Sequence, residues 1–264
     1  MRRHVLPILL AALLAMAALL PIPALAAAGM DEETFVRMLQ KALRDNPDLV
    51  LDVLRGHSES VLDIAQQGSM SRRRRSLEAQ WRNDMKTPKK VRLEGRPTLG
   101  QSGAKVRIVG FTDFTCHYCQ QASEMLNVVL KEYGRNVCFV FKSMTFEEKG
   151  VAGLAASYFL AVNLQSSEKA WNFYMSLFAN RDRLIAEGEE FLRKTASSLE
   201  VDMKRLQKDV KGKKVAEMLA EDQQDAQQLG IEGTPFFLVN NLVVRGALPL
   251  DLFKLAVDTA LKKQ

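Results

Sequence analysis

The stretch Val106-Arg107-Ile108-Val109-Gly110-Phe111-Thr112-Asp113-Phe114-Thr115-Cys116-His117-Tyr118-Cys119 decides how this chain is read. Val106 to Thr112 is rich in β-branched and aromatic residues and reads as a strand. Cys116 falls where that strand ends and a helix, running to about Tyr133, begins. A helix N-terminus leaves backbone N–H groups without partners, and the macrodipole adds positive potential there. A sulfur in that place is stabilised as thiolate, so its pKa falls below the free value of about 8.5. The thiolate is the attacking species in disulfide exchange. Two intervening residues put Cys119 one turn further on, where it can resolve a mixed disulfide. The pattern assigns Cys116 as nucleophile and Cys119 as resolving thiol. The redox-active Cys116–Cys119 disulfide then takes the place of any separate cofactor.

The neighbours of the pair are candidate modulators. His117 can donate to the Cys116 thiolate or favour it electrostatically, and it also fits a plain surface position. Tyr118 is grouped with it. Asp113, three residues before Cys116, is the nearest carboxylate. It suits proton transfer for Cys119, and equally a strand-end residue that bonds the backbone. A C-x-x-C pair also occurs in zinc sites, but zinc wants four nitrogen or sulfur ligands. Beyond the pair, the chain after residue 26 offers Cys138, His57 and His117, none at ligand spacing, so no metal is expected. Cys138 alternates with Val137 and Phe139 and reads as a buried structural thiol. The eleven methionines are scattered singly and do not suggest a copper site.

Further along, Val137 to Lys142 is a second strand. With the intervening helix it makes a β-α-β unit, whose strands should be parallel with a right-handed crossover. Residues 148–229 read as helical throughout, with Ala152, Ala155 and Ala156 first, then an aromatic face of Trp171, Tyr174 and Phe178. Trp171 and Phe178 read as core of this block, and Gly230 ends it as a C′ glycine. Pro235–Val239 and Leu242–Arg245 form a hairpin around Asn240-Asn241, and Pro249–Lys262 closes the chain as a helix. Gly233-Thr234-Pro235 opens the first of those strands, which is where a cis X-Pro bond would sit. An ordinary turn proline is the alternative.

Toward the N-terminus, Thr87-Pro88-Lys89-Lys90 reads as a linker. After it come a short strand at Val91–Leu93 and turns at Arg96-Pro97 and Gln101-Ser102-Gly103. Residues 31–86 read as helices, with Phe35, Met38, Leu39, Ala42 and Leu43 on one apolar face. Asn46-Pro47 restarts the helix, with Asn as N-cap and Pro at the first position. Gly56 stops it, a third helix runs from Ser58 to Gln67, and Gly68-Ser69 is a break before a fourth piece from Ser71 to about Met85. The segment is too thin to bury its own apolar stripe. That stripe must pack on the main domain or on another copy of itself.

At 264 residues and 47% hydrophobic, the chain can bury a core in one medium domain with an appendage. Arg2-Arg3, an apolar run from Val5 to Leu20, and Ala24-Leu25-Ala26 have the layout of a secretory signal peptide over residues 1–26. Cleavage is expected after Ala26, with Ala28 as second choice. An uncleaved membrane anchor is the competing reading. Loss of Arg2 and Arg3 lowers the net charge from +6 to +4. The one dense basic run, Arg72 to Arg75, lacks aromatic interleaving and reads as a solvated helix, so no nucleic-acid partner is expected. An exported chain meets an oxidising compartment, where three cysteines arranged as a pair and a spare are not a disulfide framework.

Strand, C-x-x-C helix, helical insertion, then Thr234-Pro235-Phe236-Phe237 before a hairpin and final helix resembles the DsbA-like branch of the thioredoxin fold. The resemblance covers residues 90–264. It implies that the Thr234-Pro235 loop faces the dithiol and docks substrate backbone. The helical segment with Asn46-Pro47-Asp48-Leu49-Val50 extends the likeness to the ScsC-like proteins, whose N-terminal regions make oligomers, trimers among them. The family's strong oxidase has an acidic residue six positions before its nucleophile, where this chain has Gly110. Lys142 matches a basic residue that recurs in relatives, but Ser143-Met144-Thr145 lacks the proline expected after it. The expected fold is therefore α/β, a thioredoxin domain over residues 89–264 with a helical insertion at about 148–229, preceded by a helical oligomerisation segment over 27–88. The expected activity is periplasmic thiol–disulfide exchange, as isomerase or reductase on unfolded or misoxidised exported proteins, with a membrane thiol–disulfide partner supplying electrons. A dithiol oxidase is the runner-up. A chaperone-like or metal-tolerance binding protein is the reading from another class.

Overall fold

The computed structural model describes residues 31–101 and 103–262. The leader read over residues 1–26 lies outside the described residues, as does Ser102 in one of the expected turns. The described chain divides into two compact units, one up to Ser69 and one from Met70 onward.

In the first unit, Asp31 opens α1 (Glu32–Asp45) by accepting from the Thr34 amide at 2.8 Å. Helix α2 (Pro47–Gly56) has Pro at its first position, as expected. Asn46 is its N-cap, as expected, but the side chain does not serve that helix. Its side-chain amide donates to the Ala42 carbonyl at 3.0 Å, closing α1, and it makes no side-chain cap for α2. Helix α3 (Ser58–Asp84) runs unbroken through Gly68-Ser69 and crosses the division between the units. A mid-helix glycine costs roughly 1 kcal/mol against alanine, which a helix with turns on both sides can absorb. No residue of α1 or α2 is buried, and Phe35, Met38, Leu49 and Val53 are each more than half exposed. Among the described residues, no helix is long and apolar enough to cross a membrane.

The second unit is built on five strands, β1 (Thr98–Leu99), β2 (Val106–Thr112), β3 (Val137–Ser143), β4 (Phe236–Val239) and β5 (Leu242–Arg245), in the sheet order β1-β3-β2-β4-β5. Strands β2 (Val106–Thr112) and β3 (Val137–Ser143) are parallel, paired from Val106↔Val137 to Thr112↔Ser143, and joined by α4 (His117–Tyr133). Every residue of β3 is buried, as a central parallel strand covered on both faces should be. The expected strand at Val91–Leu93 does not form. Val91 and Leu93 instead pack against the core, while Arg92 between them binds Asp225 at 2.8 Å. The added edge strand is β1 (Thr98–Leu99), antiparallel to β3.

The helical insertion comprises α5 (Val151–Asn163), α6 (Ser167–Ala179), α7 (Arg181–Glu187), α8 (Glu189–Ser198), α9 (Met203–Val210) and α10 (Lys213–Gln228). On one sheet face, Val106, Ile108, Phe139, Phe141 and Phe237 join buried residues of α4, α5, α6 and the closing α11 (Leu250–Leu261) in the main core. Trp171 and Phe178 belong to it, as expected. The other face buries Val109, Phe111, Val140, Phe236 and Leu238. Fully buried Lys142 lies among acids from α10, 2.8 Å from Asp222 and 2.6 Å from Asp225, and Arg96 pairs with Asp222 at 2.7 Å. Paired in this way, the buried charges fix α10 in place, and losing one partner would strand the others.

Two features then deliver the C-terminal part of the site. Helix α10 ends in a Schellman motif, with the Ile231 amide on the Ala226 carbonyl at 2.9 Å and Gly230 at φ +62°. The chain next enters β4 (Phe236–Val239), which pairs antiparallel with β2 and turns at Asn240-Asn241 into β5 (Leu242–Arg245).

The end of α3 completes this unit. Trp81 is fully buried, and its indole N–H donates to the Val243 carbonyl at 2.9 Å. Asp84 accepts from the Val243 amide at 3.0 Å, and Asn241 donates to the Asp84 carbonyl. These bonds cover the edge groups of β5. They also place residues 70–84 with the sheet, so the division falls before the Thr87–Lys90 linker. Trp81→Ala should lower the unfolding free energy by about 3–5 kcal/mol, measured by urea denaturation, because it leaves a large cavity.

Candidate active site

Cys116 is the N-cap of α4, with extended backbone at φ −75° and ψ 124°. Its carbonyl accepts the Gln120 amide at 3.1 Å, and its own amide donates to the Asp113 carbonyl at 3.2 Å. The side chain is half-buried, while Cys119 one turn on is 1% exposed. The Thr234–Pro235 bond is cis, and the Cys116 Sγ donates to the Thr234 carbonyl at 3.5 Å. The two halves of the expected site therefore meet, although 118 positions separate them in the chain.

The pairing of strands explains the meeting. Phe111 lies opposite Phe236, one residue past Pro235, so β4 starts where β2 ends. The amide of Gly246 donates to the Pro235 carbonyl at 2.8 Å and ties the loop down from β5.

The two sulfurs sit in opposite electrostatic states. A hydrogen bond from the Cys119 thiol, with others from the Thr234 side chain and the N–H groups of Cys119 and Tyr118, overcomes partial burial and brings the Cys116 pKa down to about 5. Burial pushes the Cys119 thiol far above its ordinary value. Cys138 is fully buried in β3 and is also pushed up by burial, as a structural thiol would be.

Around the pair, the candidates separate. Asp113 is 7% exposed, and its Oδ1 accepts from both the amide and the hydroxyl of Thr115 at 2.7 Å. This is the backbone-bonding role of the two that its sequence position allowed. His117 is exposed and its Nε2 pairs with Gln121 at 3.1 Å, one turn along the helix. Tyr118 is 61% exposed, with its ring centroid 5.8 Å from that of His117. Both stand on the open side of the dithiol. Gly110 has a steric reason. A Cβ there would lie 2.5 Å from the Phe139 ring and 3.0 Å from the Phe237 ring, so neither an acid nor any other side chain fits the space.

Two contacts had no signal in the sequence. The Gln120 side chain donates to the Phe178 carbonyl at 2.8 Å, and the Arg181 Nε donates to the Thr115 carbonyl at 2.6 Å. Both run from the dithiol turn to the insertion. Beneath the turn, Phe114 stacks on Phe141 with centroids 5.4 Å apart and meets Phe178 at 5.1 Å.

A family model described as Thioredoxin matches residues 92–259, a span that contains the dithiol, the insertion and the cis-proline loop. This chain belongs to the thioredoxin family. It is 28% identical over 173 residues to a probable disulfide bond formation protein D of Bacillus cereus, covering 63% of this chain and 79% of that protein. Oxidised BdbD from Bacillus subtilis superposes with a TM-score of 0.59 at 24% identity, covering 67% of this chain and 98% of that one. ScsC from Proteus mirabilis, in a transitional conformation, superposes with a TM-score of 0.56 at 20% identity and covers 88% of this chain and 98% of its own. The chain is a DsbA-like thioredoxin-fold thiol–disulfide oxidoreductase.

A depressed pKa on Cys116 stabilises the folded, reduced protein above that pKa, and the contribution disappears as pH falls through it. Ultraviolet thiolate absorbance of the reduced protein should rise with a midpoint near pH 5 for a single sulfur. Cys119→Ala should move that midpoint upward. Relative to Cys116→Ser, the reduced wild type should gain stability between about pH 5 and 9.

Proposed function

We propose that this family member is exported and acts on misoxidised exported proteins as a disulfide isomerase or reductase. The observation that carries the reading is the asymmetry of the dithiol: an acidic, accessible Cys116 beside a buried Cys119 that holds its proton. The Cys116 thiolate attacks a substrate disulfide. One substrate sulfur joins Cys116 in a mixed disulfide and the other leaves as a thiolate. In isomerisation that thiolate attacks a second disulfide of the client, and a final attack returns Cys116 unchanged. In reduction Cys119 gives up its proton and attacks the Cys116 sulfur. This expels the second client thiol and leaves the Cys116–Cys119 disulfide for a membrane thiol–disulfide partner to reduce. Burial of Cys119 slows its deprotonation, which gives a bound client time to rearrange.

Thr234 and Pro235 line the attack face, where the Thr234 carbonyl already meets the sulfur. A client chain passing over Cys116 would find backbone groups of that loop. His117 and Tyr118, exposed beside the pair, modulate this contact.

Two further observations favour isomerase or reductase over oxidase. The filled space at Gly110 departs from the pattern of the family's strong oxidase. The apolar faces of α1 and α2 also stay exposed in a single chain. Helices of this kind are marginal in water without a surface to cover them. A second and third copy would supply one, and a homo-oligomer would present several dithiols to one misfolded client. The likeness to ScsC, reaching into this segment, supports that assignment. The leader at residues 1–26 and a periplasmic site of action belong to the same proposal.

Refolding of scrambled ribonuclease tests the chemistry. Cys116→Ala should abolish turnover, and Cys119→Ala should accumulate mixed disulfides while keeping part of the isomerisation. Full activity in both variants would favour a binding protein instead. Equilibration against glutathione separates isomerase and reductase from oxidase. Light scattering of the processed chain should give an oligomer. Replacing Phe35, Leu39 and Val53 together by Asp should give a monomer that still reduces disulfides but isomerises poorly.

A further inference from the structure

Resting on the proposed role of Cys116 as nucleophile, we propose that Arg181 is a positioning residue that holds a positive charge against the peptide immediately before that cysteine and so adds to its acidity and shifts the redox poise of the dithiol. Its Nε donates to the Thr115 carbonyl at 2.6 Å. The side chain is one-fifth exposed, and its NH1 meets Asp182 at 2.9 Å. That carbonyl oxygen is joined to the Cys116 sulfur through about five covalent bonds, roughly 6 Å of chain at most. The guanidinium therefore lies inside the ~10 Å over which salt screens a charge at 0.1 M.

A purely mechanical role for the contact is already filled. Gln120 donates to the Phe178 carbonyl at 2.8 Å and ties the dithiol helix to the end of α6, three residues before Arg181. What Arg181 adds to that tether is charge. The groups facing the turn from other directions do not replace it. Asp113, whose Oδ1 accepts from Thr115, is an acid and cannot supply positive charge, and His117 stands on the exposed side against Gln121. Asp182 is 94% exposed and screened by water. Tyr174 packs among the aromatic rings beneath the turn, and Cys119 is buried.

The sign follows directly. A cation near the sulfur favours the thiolate over the thiol and therefore the reduced dithiol over the disulfide, which makes the protein more oxidising. At this separation in a half-wet site the interaction amounts to about half a pKa unit, or roughly threefold in the thiol–disulfide equilibrium.

Thiolate titration by ultraviolet absorbance and equilibration against glutathione read the effect. Arg181→Gln should raise the Cys116 midpoint by about half a unit and make the dithiol roughly threefold harder to reduce. Arg181→Lys should recover most of both. Arg183→Gln removes the same charge from the same helix, at a surface pair with Glu187, and should change neither. Asp182→Asn, an exposed site where folding is not at stake, should lower the midpoint by a smaller amount. The proposal is overturned if Arg181→Gln leaves both quantities within error of wild type, if Arg183→Gln shifts them equally, or if Asp182→Asn raises the midpoint. A wild type with no low-pH thiolate at Cys116 would instead remove the underlying reading of the site.

Discussion

The antiparallel register between β2 and β4 is the constraint on which the site depends. With Phe111 opposite Phe236, the chain leaving β2 toward Cys116 and the chain entering β4 from Pro235 occupy the same end of the sheet. A shift by one residue would turn Phe236 and Leu238 to the opposite face and exchange the two cores. It would also carry the Thr234 carbonyl away from the sulfur. The register is held by aromatic packing on both faces, with Phe237 against Phe253 on one side and Phe111 against Phe236 on the other.

On that frame, the chemistry comes from unequal treatment of two identical thiols. Cys116 stands at the open N-terminus of α4, where it collects hydrogen bonds and keeps contact with solvent. Cys119 is turned into the core formed with the insertion, and burial is the main reason it holds its proton. The insertion thus does more than cover the sheet. Through Phe178 and Arg181 it also grips the turn that carries the nucleophile.

The buried charges on the opposite sheet face have a different office. Lys142 pairs with Asp222 and Asp225, Arg96 pairs with Asp222, and together they hold α10 against β3. Since α10 ends a few residues before Thr234, its placement and its Schellman terminus fix where the cis-proline loop begins. Gly110 belongs to the same logic of space. Its missing side chain lets Phe139 and Phe237 close over β2, and this steric demand excludes the acid that the oxidase pattern places there.

What the sequence by itself determined is local. Strand β2, helix α4 and the dithiol at their junction follow from patterns within a few residues, as do the Asn240-Asn241 hairpin, the Gly230 stop and the candidate Thr234-Pro235 loop. Asn46 is the N-cap of α2 while its side chain closes α1, and Gly68-Ser69 stays within α3, because each residue type suits more than one local role. Tertiary structure decided everything that needs a partner remote in the chain. Trp81 reads as one more helical residue until Val243 receives its N–H, and Val91–Leu93 reads as a strand until α10 takes Arg92 between them. Arg181 became part of the site only when the insertion folded over the dithiol. The physical reason is common to all of these. Periodicity and capping act along the chain, whereas hydrogen bonds and burial between distant segments exist only after the sheet has brought those segments together.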